Sequence, residues 1–284
     1  MSALKRPSGA FRVVMIGATL GFVALFLIVP LIAIFFEALR KGLAAYGAAL
    51  GNHDSLHAVM MTLLLAACAV ALNTVFGVAA AWAIAKFDFR GKTLLTTAID
   101  LPFAVSPVVA GLCLVLLFGR QGLLGPWLEA HGVRIIFALP AMVLATAFVT
   151  FPFVARELIP LMQEQGSQEE QAALSLGAST WQMFWRVTLP NIKWALLYGV
   201  ILCNARAMGE FGALSVVTQP MQGKTNTLPL EIEYLYNSYG GLGMEWAFAL
   251  STLLAMLGLV TLAARGLLEW KMARALGAGA REGE

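Results

Sequence analysis

Charge is what this chain has least of. Only 12% of its 284 residues are Asp, Glu, Lys or Arg, about half the share of an ordinary soluble domain. Hydrophobic residues make up 60%. A soluble fold of that composition would expose too much apolar surface, so the expected solvent is membrane lipid. The net charge of +3 is small and dispersed. No basic run offers a nucleic-acid footprint, which argues against nucleic acid as a partner.

Cysteine and histidine are nearly as scarce. Cys68, Cys113 and Cys203 are an odd set at wide spacing, which excludes a disulfide framework and a zinc site. They are expected to be buried free thiols that act as small apolar side chains. His53, His57 and His131 fall in expected outer loops or at span ends. There is no His-Glu-x-x-His and no Gly-x-Ser-x-Gly pattern, so metal and triad chemistry gain no support. Gly91-Lys92-Thr93 and Gly223-Lys224-Thr225 imitate the end of a phosphate-binding loop. The earlier glycine that such a loop needs is Lys86 in one case and Thr218 in the other. The expectation is a chain with no catalytic residue, no metal and no cofactor of its own.

Long apolar runs are what it has in abundance. Lys5, Arg6 and Arg12 precede an apolar stretch, as in a signal peptide. The stretch runs to about Leu39, too long for a signal core, and is expected to be a retained first span. Six stretches reach the length of about 20 residues that a spanning helix needs. They are 13–39, 59–85, 94–118, 135–154, 194–217 and 246–268. Thirteen Lys and Arg residues, among them Lys86, Arg90, Lys92, Arg156, Arg186, Lys193 and Arg265, fall on one side. The positive-inside rule places that side, both termini and the 156–193 loop in the cytoplasm. The predicted fold is therefore an all-α integral membrane protein with six transmembrane helices. Two prolines interrupt the third span at Asp100-Leu-Pro-Phe-Ala-Val-Ser-Pro107. Each removes a backbone donor, leaving either a simple kink or a break that lines a cavity.

Residues 165–190 stand apart as a polar piece of an oily chain. Ser167-Gln-Glu-Glu170 fits a capping box, with the Ser167 hydroxyl on the Glu170 N–H and the Glu170 side chain reaching back. Gly177 is the expected left-handed residue after a helix over 168–176. Ser179-Thr-Trp-Gln182 offers a second, weaker box. Trp181, Phe184 and Trp185 then share one face at i, i+3 and i+4. Leu189-Pro190 is expected to end the segment, with the proline opening the next helix. On these grounds alone the piece could be an inert loop, an amphipathic helix on lipid headgroups, or a docking element for a soluble protein.

Its spacing is also that of a family. Gln171-Ala172-Ala173, three residues, Gly177, nine residues and Val187-Thr188-Leu189-Pro190 closely resemble the EAA signature of prokaryotic ABC importer permeases. Gln171 stands where that signature has Glu, and Val187 where it has Ile. The strings Trp181–Val200 and Asn204-Ala-Arg-Ala-Met-Gly-Glu-Phe-Gly212 resemble the CysW-type permeases of sulfate/thiosulfate importers, within a sulfate/molybdate group. The resemblance covers about residues 57–270. It implies a type I (MetI-like) permease fold with cytoplasmic coupling helices, in which Gln171, Ala172, Ala173, Gly177, Trp181, Phe184, Leu189 and Pro190 couple to an ATPase. It implies partners as well: a second, CysT-like permease, a CysA-like ATPase dimer that holds ATP and magnesium, and a periplasmic sulfate/thiosulfate-binding protein. The implied organisation is a cytoplasmic tail at 1–12, a first span and outer loop at 13–56, a permease core at 57–270 and a cytoplasmic tail at 271–284. The expected location is the bacterial inner membrane.

Arg206 and Glu210 fall in the fifth expected span and share a helix face. Charges there are costly and usually face the bundle interior or a wet path. They read either as path residues, with Arg206 attracting an oxyanion that Glu210 helps release, or as a structural pair. Asn204, two residues from Arg206, is a third path candidate, although it points elsewhere. Asp100 is expected to cap the helix after its break, or else to pair with a base on another span. The outer segment 218–245, with Glu231, Glu233 and several tyrosines, reads as a binding-protein contact or as an interfacial helix. Molybdate or tungstate is the alternative substrate. A self-sufficient secondary anion transporter is the alternative class, though a coupling-ion site and an internal repeat are not evident.

Overall fold

The computed structural model describes residues 9–218, 222–238 and 241–279, and among these there is no strand. A first helix, α1, runs over residues 9–39 and carries one π-helical turn at Ala24–Ile28. It is followed by α2 (Leu43–Gly51), α3 (His53–Lys86), α4 (Lys92–Ala104), α5 (Pro107–Phe118) and α6 (Gly125–Ala130). Next come α7 (Leu139–Gln165), α8 (Gln168–Ser175) and α9 over residues 180–208. The last three are α10 (Leu214–Val217), α11 (Leu228–Asn237) and α12 (Gly241–Gly279).

Among the described residues four helices are long and apolar enough to cross a bilayer unbroken: Phe11–Leu39, His53–Lys86, Leu139–Gln165 and Gly243–Trp270. The other two expected spans are not continuous. The third divides into α4 and α5, bent by 112° at Val105 and Ser106. Pro107 is the cause, because its ring pushes the preceding residue out of the helical region, and Ser106 sits at φ −59°, ψ 137°. Pro102 causes no break, being absorbed inside α4 and buried. The expected 194–217 span stops at Met208, and its last residues form the separate α10. The α9 segment that remains, with Lys193, Asn204 and Arg206, is not apolar enough to count as a span by itself.

The core is built on α3, α7 and α9. Gly77 lets α3 approach α7 closely, since a Cβ there would lie 2.9 Å from the Val154 Cβ. Gly199 of α9 meets the same turn of α7, with the Val154 Cα 3.2 Å from where its Cβ would be. Polar side chains reinforce the contact. The Asn73 amide donates to the Thr150 hydroxyl at 2.7 Å and to the Ala147 carbonyl at 3.1 Å. Such bonds between membrane helices average about 0.6 kcal/mol each. Leu158, Met162 and Ile192 fill the end of this core nearer Lys86 and Gly166, and Leu65, Met142 and Leu214 the other. Residues 11–30 of α1 stand exposed, and its 29–39 portion packs on α12. Cys203 is buried as expected, but Cys113 lies on the exposed face of α5. That part of the cysteine expectation fails because α5 is apolar nearly all round and buries only Ala110 and Gly111.

Candidate functional site: a helical pair and two broken helices

The polar piece folds as two helices at one end of the core. Gly177 has φ +88°, a conformation that glycine adopts without a Cβ penalty. It closes α8 with a Schellman motif. The Ala178 N–H donates to the Ala173 carbonyl and the Gly177 N–H to the Leu174 carbonyl, both at 3.0 Å.

The two capping boxes exchange ranks. The weaker one forms: the Ser179 hydroxyl accepts from the Gln182 N–H at 3.3 Å, and the Gln182 side chain accepts from the Ser179 N–H at 3.0 Å. The stronger one does not. Ser167 makes no capping bond, and its hydroxyl accepts from the Gln171 side chain at 2.9 Å. Glu170 is drawn elsewhere, because a full opposite charge and a hydroxyl outcompete a backbone N–H. Its carboxylate lies 3.1 Å from the Lys86 ammonium and accepts from the Thr188 hydroxyl at 2.7 Å. Lys86 also donates to the Gly166 carbonyl, and Asn191 donates to Glu169. This knot joins the ends of α3 and α7 to α8 and α9. It lines a polar cavity of about 280 Å³ together with Gln165 and Asn191.

Leu189-Pro190 does not end the segment. One helix, α9, runs from the box at Ser179 into the core through a π-helical turn at Phe184–Thr188. Pro190 has no N–H, and its ring would strike the carbonyl four residues back in a regular helix. The wider turn, with the Leu189 N–H donating to the Phe184 carbonyl, removes that conflict. Phe184 turns inward and packs at a tilt against Trp82, ring centres 5.2 Å apart, with Trp181 and Trp185 close around it. Gln171, Ala172, Leu174, Leu176, Trp181 and Trp185 stay exposed, Ala173 and Leu189 half so. The segment therefore presents an apolar outer face and is tied down by a polar inner one.

The second constellation lies where two helix breaks abut. A Cβ on Gly212 would sit 3.1 Å from the Pro107 Cβ, and one on Gly111 would sit 2.8 Å from the Ala213 carbonyl oxygen. The α4–α5 break thus rests on the α9–α10 break. Ser106, Gly209 and Phe211 remain exposed there. Irregular backbone at membrane depth is tolerated only inside protein or beside water. At this junction the Arg206 guanidinium lies 2.7 Å from the Glu210 carboxylate. Glu210 is wholly buried, and its other oxygen accepts the Ala213 N–H at 2.9 Å. One carboxylate thus neutralises Arg206 and caps the next segment. Arg206 keeps a third of its side chain exposed. Asn204 does not join them, its amide facing the Met208 sulfur at 4.0 Å.

Asp100 caps nothing. It pairs with Arg156 of α7 at 3.1 Å, and Ser106 rather than Asp100 precedes α5. On the opposite side of the molecule Glu231 is buried and accepts from Gln222 at 2.9 Å and Asn226 at 2.6 Å. It fastens α11, whose Leu228 N–H donates to Thr62 of α3. Among the described residues no group of His, Cys, Asp and Glu could hold a metal ion. From the sequence, Lys86 and Arg156 count only as orienting charges and Thr188 only as a position within the motif; none of the three stands out there as a site residue.

Residues 73–274 match the family described as binding-protein-dependent transport system inner membrane component. The chain is 51% identical over 267 residues to the sulfate transport system permease protein CysW of Escherichia coli K12, covering 94% of this chain and 91% of that one. It is 38% identical over 217 residues to the CysT permease protein of the same organism, covering 76% and 78%. A crystal structure of a bacterial alginate ABC transporter, in complex with its oligosaccharide-bound periplasmic protein, contains a chain of the same fold. That chain superposes with a TM-score of 0.75 at 18% identity, over 92% of this chain and 94% of its own length. The apolar helices, the joined helical pair and these matches agree, and the chain belongs to the family of binding-protein-dependent transport system inner membrane components, a permease subunit of its CysW-type branch.

Proposed function

We propose that this chain forms half of the membrane path of an ATP-driven importer for sulfate and thiosulfate. The observation that carries the reading is the helical pair 168–188. It is locked to α3 by the Glu170–Lys86 pair, closed on itself by the Thr188–Glu170 bond, and presents an apolar outer face. A face so exposed yet so rigidly backed suits a soluble protein that pushes on it. ATP hydrolysis belongs to a separate ATPase dimer, with its magnesium, since neither Gly-Lys-Thr triplet of this chain fits a phosphate-binding loop.

On this reading α8 and the start of α9 are the coupling helices, and closure of the ATPases displaces them as one body. The displacement travels along α9, continuous from Thr180 to Met208, to the junction at Arg206 and Glu210. There the path changes from outward-facing to inward-facing. Arg206 supplies a planar donor set suited to a tetrahedral oxyanion, and Glu210 keeps it from becoming a trap. The second half of the path is a CysT-like permease, in keeping with the matches to both permease proteins of one organism. A periplasmic binding protein delivers the anion and does most of the selecting. Both termini then lie in the cytoplasm.

The test is reconstitution of this chain with its partner permease, ATPase and binding protein in liposomes. Expected is sulfate and thiosulfate uptake that requires ATP and all components. Uptake by this chain alone without ATP would instead identify a secondary anion transporter. Preference for molybdate or tungstate would overturn only the choice of oxyanion.

A further inference from the structure

We propose that Asp100 and Arg156 form a second charged station on the anion path, nearer the cytoplasm than Arg206 and Glu210. The inference rests on the reading of the chain as an oxyanion permease. The two groups meet at 3.1 Å, with 57% of the Arg156 side chain and 43% of that of Asp100 exposed. The guanidinium also lies over the Phe103 ring at 5.2 Å, and Phe103 is braced edge-on by Phe153 at 5.4 Å. This pair is held by both contacts, yet it faces away from the chain's own core.

Its depth makes that orientation informative. Val154 of α7 is level with Gly77 of α3 and Gly199 of α9, which both approach it closely. Arg156 lies ten residues before Gly166, whose carbonyl receives Lys86 at the cytoplasmic end. At the helical rise that is about 15 Å inside that end. Arg206 lies seven residues beyond Gly199 toward the other side, so the two guanidiniums sit at depths roughly 13 Å apart. Charges within the apolar layer are costly against lipid and face water or protein. Asp100 is six residues before the Ser106 break, on the helix that leads from the junction of the two broken helices. One pair thus sits on α4 itself and the other beside the junction where α4 ends.

Each station has the same composition, one guanidinium neutralised by one carboxylate. A passing divalent oxyanion can take either guanidinium bidentately by displacing its carboxylate, which then re-forms the pair behind it. Two such exchanges in series move the anion without a site deep enough to retain it.

The experiment uses the assembled transporter with Cys113 replaced by Ser. Ala104→Cys, one turn from Asp100 and exposed, is probed with a membrane-impermeant thiol reagent from the cytoplasmic side. Expected is labelling that sulfate slows at least threefold. In uptake, Arg156→Gln is expected to lose at least tenfold and Arg156→Lys less than threefold. Asp100→Asn, which frees the guanidinium, is expected to make uptake several-fold more sensitive to internal sulfate. No labelling, or labelling that sulfate leaves unchanged, would overturn the proposal, as would Arg156→Gln uptake within twofold of the parent. Where Arg156→Gln fails to assemble, the labelling result decides. Absence of sulfate uptake by the parent would overturn the permease reading itself, a separate outcome.

Discussion

Lys86 and Glu170 meet at 3.1 Å with about nine-tenths of each side chain buried, and their contact joins the last residue of α3 to the first turn of α8. Two buried charges so close are sensitive to the loss of either. Removing one partner of such a pair costs about 3–5 kcal/mol, because the other is left buried and unpaired. We expect Lys86→Met and Glu170→Gln to lower the thermal stability of the purified chain. Both should also lower the number of anions imported per ATP hydrolysed. The exchange Lys86→Glu with Glu170→Lys is expected to recover part of both. Transport and ATP hydrolysis measured together in liposomes would check this, and unchanged coupling in the single variants would count against the lock.

Gly177 carries a different kind of constraint. A Cβ there would meet no atom within 4 Å, so a substitution is penalised by the left-handed backbone alone. For an ordinary L-residue that costs about 1–2 kcal/mol. Gly177→Val is expected to loosen the angle between α8 and α9 and uncouple ATP hydrolysis from uptake, with membrane insertion intact. Gly177→Asn, a residue tolerant of that conformation, should retain most of the coupling. Equal effects of Val and Asn would show that space rather than backbone is at stake.

The division between what the sequence revealed and what it concealed follows from locality. Gly177 and the Ser179–Gln182 box were legible, because glycine punctuation and capping act within four residues. Glu170 was misjudged because its strongest partner, Lys86, is 84 positions away in the chain and its second, Thr188, lies across a π-helical turn. For Asp100 the sequence leaves capping and pairing both open, and the pairing with Arg156 on another helix decides it. The bend at Ser106 is legible from Pro107, but its size, 112°, is not. Hydropathy alone reads 194–217 as a single span, because it does not register that the helix ends at Gly209 and that Glu210 then accepts the Ala213 N–H ahead of the next.

The exchange of capping roles yields its own prediction. Ser179→Ala removes a cap and is expected to destabilise the start of α9 by about 0.5–2 kcal/mol. Ser167→Ala removes only an exposed bond from Gln171 and should change stability by much less. Thermal unfolding of the two purified variants distinguishes them. Equal losses would mean that the first box forms after all.

Arg206 and Glu210 call for variants that separate charge from architecture. Glu210 neutralises Arg206 with one oxygen and accepts the Ala213 N–H with the other. Glu210→Ala abolishes both functions and is expected to disrupt the junction of the broken helices. Glu210→Gln can still accept the Ala213 N–H through its amide oxygen, but it no longer offsets the guanidinium. The freed Arg206 should then hold an oxyanion longer, lowering the half-saturating concentration and the maximal uptake rate together. Arg206→Gln acts in the opposite sense on affinity. It also leaves Glu210 buried and unpaired, at a cost in stability of about 3–5 kcal/mol. Uptake kinetics over a range of sulfate concentrations give the sign directly. A purely structural pair would lower the maximal rate in both variants without moving the half-saturating concentration. Opposite shifts of that concentration are therefore the result that places Arg206 on the path.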